Sequence, residues 1–393
     1  MVINVLDYGM NGEGVSKVDG KVILIENALV GEEVDIDIVK SHKKYDEGRV
    51  NSFVRYSEDR IESLCPYYNI CGGCNISNLN YSKQLEYKEN KIINIFKRYL
   101  NIDINPEIIG SDNNYEYRNK ITFQNMDGIV GLVSIDNKLI NIDKCILVSD
   151  KVNELYNVIC KEDLSNVRKI VIKECDNGLI LGLDGKMNID DIKNLCLSIY
   201  CNGNCVCKND DGYINVGDIK YRVSMDSFFQ VNSRNISRLY DVIVKYGEFK
   251  KNDSVIDLYC GVGSISIYIS KYVDSVLGIE IIDDAIKDAN ENAKLNGIKN
   301  TKFICGDVSK LVDDSISGNV VIVDPPRVGL DNHTIDVLNS INVDRLIYVS
   351  CDPMTLVRDL SKLDSYEIKD ITLVDMFPQT HHVESVFLLQ RKN

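Results

Sequence analysis

Short apolar runs separated by turn residues fill the first part of the chain. They cover residues 22–25, 34–38 and 49–54, and glycine-containing turns lie between them. Strands in small all-β units have this length and spacing. The pattern therefore predicts a small β-barrel over residues 1–55.

The middle of the chain has a mixed pattern. Residues 56–78 are rich in cysteine and have no period, whereas apolar side chains recur at about a 3.6-residue spacing over residues 79–100 and predict a helix. Residues 115–215 alternate in the manner of β-strands, with short helical pieces that include residues 189–196. Residues 56–215 are therefore predicted to form a central domain of mixed α+β structure.

The pattern of apolar and polar residues changes near residue 216. An apolar run at 254–259 is followed by a glycine turn and a helix-like segment at 265–272, and a second run at 275–280 is followed by a helix-like segment at 285–295. Strands that alternate with helices are typical of a parallel α/β sheet. Residues 216–393 are therefore predicted to form a Rossmann-like α/β domain with a mostly parallel sheet.

Composition indicates a globular protein. The 393 residues suffice for two or three domains, and 44% hydrophobic and 26% charged residues are typical of soluble proteins. No apolar run approaches the ~18 residues of a membrane span, and the N-terminus lacks the features of a secretory signal. We therefore expect a cytoplasmic protein without a membrane partner.

Charge and cysteine content limit which binding partners and which cysteine functions are expected. A net charge of −14 counts against nucleic-acid binding through bulk electrostatics and leaves only local basic patches for that role. Two groups of basic residues are candidates, and each also fits a solvated face: Lys40, Lys43 and Lys44, and Lys88, Lys91, Lys97 and Arg98. The 13 cysteines are an odd number, which in a reducing cytosol favours metal ligation or catalysis over disulfides.

A glycine-rich turn follows the first strand of the last domain. It runs from Asp257 to Ser264 and opens a helix, so that the backbone at Gly261 can approach a ligand closely. The next predicted strand ends at Glu280, where a carboxylate can reach a ribose diol, and the one after it ends at Asp307, which suits an adenine edge. Two glycines alone would fit a nucleotide site or a tight strand–helix turn, but the spacing and order fit S-adenosylmethionine (SAM) better than a dinucleotide.

Three loops of the same domain carry residues that suit methyl transfer to a pyrimidine. Cys351 ends an apolar run, Asp324 stands in a turn stiffened by two prolines, and Glu384 opens the apolar final strand. Carbon 5 of a pyrimidine becomes nucleophilic when a thiolate adds to carbon 6, and a base must then remove the carbon-5 proton so that the thiolate can leave. The candidates are Cys351 as nucleophile, Glu384 as base and Asp324 as the group that grips the uracil edge. A small buried hydrophobe at Cys351 and an exposed edge residue at Glu384 are the alternatives.

A cysteine-rich loop lies in the central domain. Three thiols cluster there around two glycines: Cys65, Cys71 and Cys74. Three clustered thiols with a distant fourth fit a 4Fe–4S cluster, zinc fits the set equally well, and a loop without metal is the third alternative. The spacing leaves the fourth ligand open among Cys145, Cys160 and Cys175.

Five motifs occur along the chain in the order that is typical of one protein family. They are Phe228-Phe-Gln-Val-Asn232, the turn from Asp257 to Ser264, Asp324-Pro-Pro-Arg327, Val349-Ser-Cys-Asp-Pro353 and Asp375-Met-Phe-Pro-Gln-Thr-His-His-Val-Glu384. In these motifs the chain resembles the bacterial RNA uracil-5-methyltransferases, specifically the 23S rRNA type, over essentially its full length.

The resemblance implies roles for individual residues. It implies that Cys351 is the nucleophile and Glu384 the base. The positions expected to contact SAM, or to lie at its boundary with the uracil, are Gln230, Tyr259, Gly261, Ser264, Glu280, Asp307 and Asp324. Two of them depart from the family pattern, because Ser264 stands where relatives often have Asn and Asp307 lies in a stretch that varies among relatives.

The resemblance also bears on metal and RNA. It implies a structural 4Fe–4S cluster that contacts RNA and is held by Cys65, Cys71, Cys74 and Cys145. It implies no ligands in a second cysteine group: Cys201, Cys205 and Cys207. The front domain resembles the TRAM module, a small RNA-binding β-barrel, in the turn over residues 9–14 with Lys17 and in the segment over residues 28–32.

The expected activity is SAM-dependent 5-methylation of a uridine in 23S rRNA by a monomer that binds RNA and not DNA. A tRNA uridine is the alternative target, although tRNA-directed relatives commonly lack both the front module and the cysteine loop. An iron–sulfur RNA-binding or assembly protein with an inactive core is the alternative of another class. The intact set of candidate site residues argues against that alternative.

Overall fold

The first segment of the protein is all β. The structure, a computed structural model, describes residues 1–126, 128–313 and 318–392. Six strands come first: β1 (Val2–Asn4), β2 (Asp7–Tyr8), β3 (Gly14–Val18), β4 (Lys21–Glu26), β5 (Glu33–Ser41) and β6 (Tyr45–Arg55). They form one sheet in the order β1-β5-β6-β4-β3-β2, and alternate side chains such as Ile23 and Ile25 fill its core. The three strands predicted from apolar runs are confirmed as β4, β5 and β6.

The middle segment contains a helix and a second sheet. Its elements are α1 (Tyr81–Leu100), β7 (Glu107–Ile109), β8 (Lys120–Met126), β9 (Ile129–Val133), β10 (Leu139–Ile140), α2 (Asp150–Ile159), β11 (Val167–Cys175), β12 (Gly178–Gly185), β13 (Ser198–Cys201) and β14 (Asn204–Lys208). Seven strands form the order β10-β9-β8-β11-β12-β13-β14, and α2 packs on them through the stacked rings of Phe123 and Tyr156.

One helical prediction in this segment is wrong. Residues 189–196 form hydrogen-bonded turns, in which the Lys193 amide donates to the Ile189 carbonyl at 2.8 Å. The turn does not continue as a helix, because the Leu197 amide already donates to the carbonyl of Leu179 in β12. The chain is thereby directed into β13.

The last segment alternates strands and helices, as its pattern predicts. Its elements are β15 (Gly212–Val216), β16 (Ile219–Val223), α3 (Ser233–Gly247), β17 (Ser254–Leu258), α4 (Ser264–Ile269) with a 3₁₀ turn (Ser270–Tyr272), β18 (Ser275–Glu280), α5 (Asp283–Leu295), β19 (Thr301–Cys305), α6 (Val308–Leu311), β20 (Val320–Val323), α7 (Asn332–Ser340), β21 (Arg345–Ser350), α8 (Pro353–Leu360), β22 (Tyr366–Val374) and β23 (Glu384–Arg391).

Eight strands form the largest sheet, in the order β19-β18-β17-β20-β21-β23-β22-β7. β17 to β21 are parallel to one another, and β23 runs antiparallel between β21 and β22. Its central strands are apolar on both faces, as expected for a sheet covered by helices on each side. Side chains of α3, α4 and α5 pack on one face, and those of α1, α7 and α8 pack on the other.

The sheets divide the chain differently from the predicted domains. β7 pairs with β22, and α1 packs on the same large sheet, although both lie within residues 56–215. The β15–β16 hairpin spans position 216. The division at 55 and 215 stays a prediction. None of the helices in the described residues combines the length and apolarity that crossing a membrane requires.

Candidate active site

Several strand ends meet at one edge of the large sheet. The parallel strands β17, β18, β19, β20 and β21 end at Leu258, Glu280, Cys305, Val323 and Ser350. Because β23 runs antiparallel, its first residue, Glu384, lies at this same edge. Ligands of open α/β sheets bind at the carboxyl ends of the strands. The edge therefore brings together Cys351, Asp324 and Glu384, which the sequence places in three separate loops.

Cys351 occupies a rigid junction between β21 and α8. The Asp352 carboxylate caps α8 by accepting hydrogen bonds from the amides of Met354 and Thr355 at 2.9 and 3.0 Å. Pro353 occupies the first helical position and fixes the backbone there. The Cys351 side chain is half-buried and directly precedes this capped helix.

Two carboxyl groups and one guanidinium surround the thiol. Burial, followed by the negative charges of Glu384 and Asp324, raises the pKa of Cys351 to about 12. The positive charge of Arg327 opposes that shift. A thiolate at this position therefore needs further positive charge nearby, or a partner that accepts its proton.

The two carboxyl groups also have shifted pKa values. Glu384 is 3% exposed, and burial together with the Asp324 charge raises the pKa of Glu384 to about 8. Burial, followed by the charge of Asp257, raises the pKa of Asp324 to about 7. Carboxyl groups that titrate near neutrality can both give and take a proton under physiological conditions.

The Glu280 carboxylate forms hydrogen bonds with the backbone of the glycine-rich turn and of the residues after β18. Its two carboxylate oxygens accept hydrogen bonds from the amides of Gly261 at 3.2 Å and Ile282 at 2.9 Å. Gly261 has a φ of +53°, and nothing lies within 4 Å of the place where a Cβ would stand. Below the turn, Asp257 accepts a hydrogen bond from Ser266 at 2.5 Å, while its other carboxylate oxygen is buried without a partner among the described residues. Open space beside a bonded carboxylate fits a cofactor cradle.

Tyr259 and Gln230 are each held by a backbone hydrogen bond to a neighbouring segment. Tyr259 adopts a left-handed backbone with a φ of +66°, and its amide donates to the Ile279 carbonyl of β18. The Gln230 side chain is partly exposed, and its backbone carbonyl accepts a hydrogen bond from Asn119 at 2.9 Å. That bond fixes the segment around Gln230 to the start of β8.

Ser264 and Asp307 have structural partners. Ser264 begins α4, and its carbonyl accepts a hydrogen bond from the Tyr221 hydroxyl at 2.8 Å. Asp307 caps α6 by accepting hydrogen bonds from the Ser309 amide and hydroxyl at 3.1 and 2.8 Å. Any contact of Asp307 with an adenine would therefore have to share a carboxylate that already caps a helix.

The cysteine loop forms one wall of a separate cavity. The cavity has a volume of about 490 Å³, and four thiols line it: Cys65, Cys71, Cys74 and Cys145. Burial raises the pKa of Cys74, and charge on the other three thiols would raise it further. Tyr67 joins the two segments, because its hydroxyl bonds the Asp143 carboxylate at 3.0 Å and accepts from the Asp143 amide at 2.9 Å.

Neither of the other two candidates for a fourth ligand lines that cavity. Cys160 is exposed at the end of α2, and Cys175 is buried beside Lys173. Among the described residues, no three metal-binding side chains are already arranged as a metal site. The four thiols therefore share one cavity without a preformed coordination geometry. The second group is dispersed along β13 and β14, with Cys201 buried and Cys205 exposed.

Two charged residues differ from what the sequence analysis predicts. Arg327 stands in the proline turn but is not among the predicted site residues, although its charge acts on both Cys351 and Glu384. Lys88 is predicted on a basic surface, and that prediction is wrong. Its side chain is fully buried and contacts Asp375 at 2.6 Å.

Comparisons with known proteins agree with this arrangement. The profile of a family described as tRNA (Uracil-5-)-methyltransferase matches residues 208–313 and 306–392, and the TRAM domain profile matches residues 2–50. The chain is 32% identical to an uncharacterized RNA methyltransferase of Clostridium acetobutylicum over 98% of this chain and 95% of that protein, and 32% identical to one of Halalkalibacterium halodurans over 100% and 97%.

A solved structure is similar over the whole chain. It is the Pyrococcus abyssi tRNA (uracil-54, C5)-methyltransferase in complex with S-adenosyl-L-homocysteine, with a TM-score of 0.81 and 26% identity over 99% of this chain and 100% of that one.

Proposed function

The chain belongs to the RNA uracil-5-methyltransferases that carry a TRAM domain, and from this premise we propose that it methylates carbon 5 of a uridine in 23S rRNA through a covalent adduct. The methyl donor is SAM. The observation that carries the proposal is the meeting of Cys351, Asp324 and Glu384 at one sheet edge from three separate strand ends. An inactive iron–sulfur RNA-binding protein would have no need of this arrangement.

The reaction begins with the Cys351 thiolate. Its sulfur bonds to carbon 6 of the uracil, and the electron pair of the 5,6 double bond makes carbon 5 nucleophilic. Carbon 5 then takes the methyl group from the sulfonium of SAM, which leaves as S-adenosylhomocysteine. The sulfonium and Arg327 supply the positive charge that the thiolate needs, because burial and two carboxylates otherwise keep the thiol protonated.

Glu384 completes the reaction as the base. It removes the proton from carbon 5, the electron pair of that bond restores the 5,6 double bond, and the thiolate leaves carbon 6. Its raised pKa, about 8, makes it a stronger base than an exposed glutamate once it is ionised. Asp324, with a pKa of about 7, can hold the uracil edge either as an acceptor or, when protonated, as a donor.

The glycine turn and its neighbours bind SAM in this proposal. Glu280 faces the ribose, Gly261 leaves room for the cofactor, and Tyr259 and Gln230 flank it. The open space at Gly261 and the bracing by Glu280 support these roles. Ser264 and Asp307 contribute less, because their described hydrogen bonds serve the fold.

A 4Fe–4S cluster on Cys65, Cys71, Cys74 and Cys145 is part of the proposal. The shared cavity supports it, since the four thiols face one space of about 490 Å³ and already influence one another's charge. When bound, the cluster cross-links the cysteine loop to the segment that carries Cys145. Cys71, Gly72, Gly73 and Cys74 would hold it in one short loop, and the two glycines would let the backbone adjust on binding.

A tRNA uridine is the second candidate substrate. The similar solved structure acts on uracil 54 of tRNA, and the present chain covers 100% of that protein. Because the match spans 99% of this chain, the front barrel by itself does not separate the two substrates. Both proposals require RNA as the partner, and the TRAM domain supports that requirement.

Mapping 5-methyluridine in cells with and without this protein tests the proposal. Loss of the modification at one or two positions of 23S rRNA, with tRNA unchanged, is the expected result. Loss in tRNA alone would transfer the function to the second candidate. Unchanged 5-methyluridine in both RNAs would contradict either function.

A further inference from the structure

A buried ion pair supports the loop that leads to Glu384. Lys88 lies in α1, and its ammonium contacts the Asp375 carboxylate at 2.6 Å with both side chains fully buried. Asp375 follows β22, and the chain runs from it to Glu384. A buried ion pair is weak evidence for stability, because apolar residues of similar size often serve as well. The pair therefore indicates a role in fixing one arrangement of the loop.

The pair holds the backbone of Phe377 on both sides. The Lys88 ammonium donates to the Phe377 carbonyl at 3.0 Å, and the Asp375 carboxylate accepts from the Phe377 amide at 3.1 Å. The Tyr81 hydroxyl donates to the second oxygen of Asp375 at 2.9 Å. Because each charged group bonds the loop backbone, the loop path depends on the pair.

Two more side chains of α1 bond the same loop. Gln84 accepts a hydrogen bond from the Gln379 amide at 2.9 Å and donates to its side-chain oxygen at 3.1 Å. Gln379 has a φ of +70°, a backbone that its surroundings must hold in place. Lys91 donates to the His381 carbonyl at 3.1 Å. Gln84, Lys88 and Lys91 share one helix face, since they lie four and three residues apart.

We propose that Lys88 is a positioning residue for the base. Through Asp375 and the Phe377 peptide, it fixes the path of residues 375–383 and with it the place of the Glu384 carboxylate. The inference rests on the proposed function, in which Glu384 removes the carbon-5 proton. Methyl transfer then proceeds without the pair, whereas cleavage of the carbon-5 to hydrogen bond, and with it the expulsion of the Cys351 thiolate, becomes slow.

The test removes both charges together. Lys88→Met alone leaves the Asp375 carboxylate buried without its partner, which endangers the fold. The double variant Lys88→Met/Asp375→Asn removes the pair while it keeps the size of both side chains and part of the hydrogen bonding. Lys193→Met is the matched control, because Lys193 lies in an exposed pair with Asp190 at 2.8 Å, away from the loop of residues 375–383.

Single-turnover kinetics measure the two halves of the reaction separately. Purified enzyme is mixed with SAM and unmodified 23S rRNA made in vitro, or unmodified tRNA if mapping identifies tRNA, and the covalent adduct is followed on denaturing gels. In the double variant we expect adduct formation within roughly twofold of wild type and adduct release at least roughly tenfold slower. Lys193→Met is expected to match wild type in both.

Three results would overturn the inference. They are release at the wild-type rate, formation and release slowed by the same factor, and loss of cooperative thermal unfolding in the double variant, which would assign the pair to stability alone. Glu384→Gln in the same assay distinguishes a failure of the Lys88 role from a failure of the proposed function. If Glu384→Gln accumulates adduct and the double variant does not, only the role of Lys88 fails. If Glu384→Gln and Cys351→Ala both turn over normally, the proposed function itself fails.

Discussion

Ser385 pairs with Ser350 across the antiparallel strands β23 and β21, and its hydroxyl donates to the Ser350 carbonyl at 3.0 Å. Cys351 follows Ser350, and Glu384 precedes Ser385 as the first residue of β23, so both lie at the same edge of the sheet. Backbone pairing therefore fixes the relative position of their main chains, and the loop of residues 375–383 is left to orient the Glu384 side chain. Such fixed geometry between a nucleophile and a base is what a two-step covalent reaction requires.

Replacement of Cys351 by alanine should abolish methylation. The thiol acts on the uracil and not on SAM, so we expect activity to fall by at least about a thousandfold while SAM affinity stays within about twofold. Radiolabelled methyl transfer and calorimetric SAM titration measure the two quantities. Cys205→Ala, at an exposed thiol on β14, is the control and should retain activity. Normal turnover in Cys351→Ala would exclude the covalent mechanism.

Replacement of Glu384 by glutamine should trap the protein–RNA adduct. Methyl transfer can still occur, but the carbon-5 proton stays in place and the thiolate cannot leave. The adduct should appear as a retarded band on a denaturing gel. In the wild type, release should accelerate as pH rises through about 8, because the carboxylate must be ionised to act. Slow but adduct-free turnover in the variant would assign the base to another residue.

The same substitution should change how stability depends on pH. The pKa of Glu384 rises from 4.5 to about 8 on folding, so the wild type loses stability as pH increases across this interval. Glutamine does not titrate. The free energy of unfolding of Glu384→Gln, relative to that of wild type, should therefore rise by on the order of 2 kcal/mol between pH 5 and pH 9. This is less than the full pKa shift implies, because the titrations of Glu384 and Asp324 are coupled.

Urea unfolding at the two pH values measures this gain. Glu367→Gln is the control, because Glu367 lies on β22 in an exposed pair with Lys369 and its pKa is lowered. An equal difference between Glu384→Gln and wild type at both pH values would contradict a raised pKa at Glu384.

Replacement of Gly261 by alanine should weaken SAM binding. Gly261 and Gly297 both have a positive φ, +53° and +66°, and both have open space where a Cβ would stand. Alanine at either position should cost about 1 kcal/mol of stability through backbone strain. Only Gly261→Ala should also raise the Kd for SAM, by about tenfold, measured by calorimetry. Equal SAM affinity in the two variants would remove Gly261 from the cofactor site.

Purified protein should contain about four iron and four sulfide per chain, as a 4Fe–4S cluster requires. Serine at any one of four positions should remove the iron, since each iron needs a thiolate: Cys65, Cys71, Cys74 and Cys145. Serine at Cys201, Cys205 or Cys207 should leave it unchanged. Metal analysis and the visible absorption of the cluster provide the measurement. Stoichiometric zinc, or iron retained in Cys145→Ser, would contradict the assignment.

Local pattern predicts local structure well in this protein. The apolar spacing over residues 79–100 predicts α1, which spans Tyr81–Leu100, and the alternation after residue 216 predicts the strands whose ends carry the site. Those strand ends also indicate the common edge of Cys351 and Asp324, whereas Glu384 lies at that edge because β23 runs antiparallel. Apolar periodicity and the end of a strand both depend on residues that are close in sequence, so both can be predicted from the sequence.

Long-range contacts are not visible in such patterns. β7 has only three residues, Glu107–Ile109, and it becomes a strand because β22 offers it an edge. Lys88 has the sequence context of a surface lysine, and its burial depends on Asp375 at the far end of the chain. For the same reason spacing alone could not distinguish Cys145 from Cys160, because the cavity is formed by folding.

The pairing of β7 with β22 makes the catalytic unit discontinuous in the gene. The chain enters the large sheet at β7, leaves it to form the seven-stranded sheet, and returns at β17. A fragment that begins at residue 216 would lack both β7 and α1, leaving the edge of β22 unpaired and uncovering the apolar face that Ile92 and Phe96 protect. Recombination between relatives that exchanged only the front of the gene would separate contacting partners such as Lys88 and Asp375. The seven-stranded sheet thus lies between two segments of the large sheet, and those two segments must stay together for the large sheet to form.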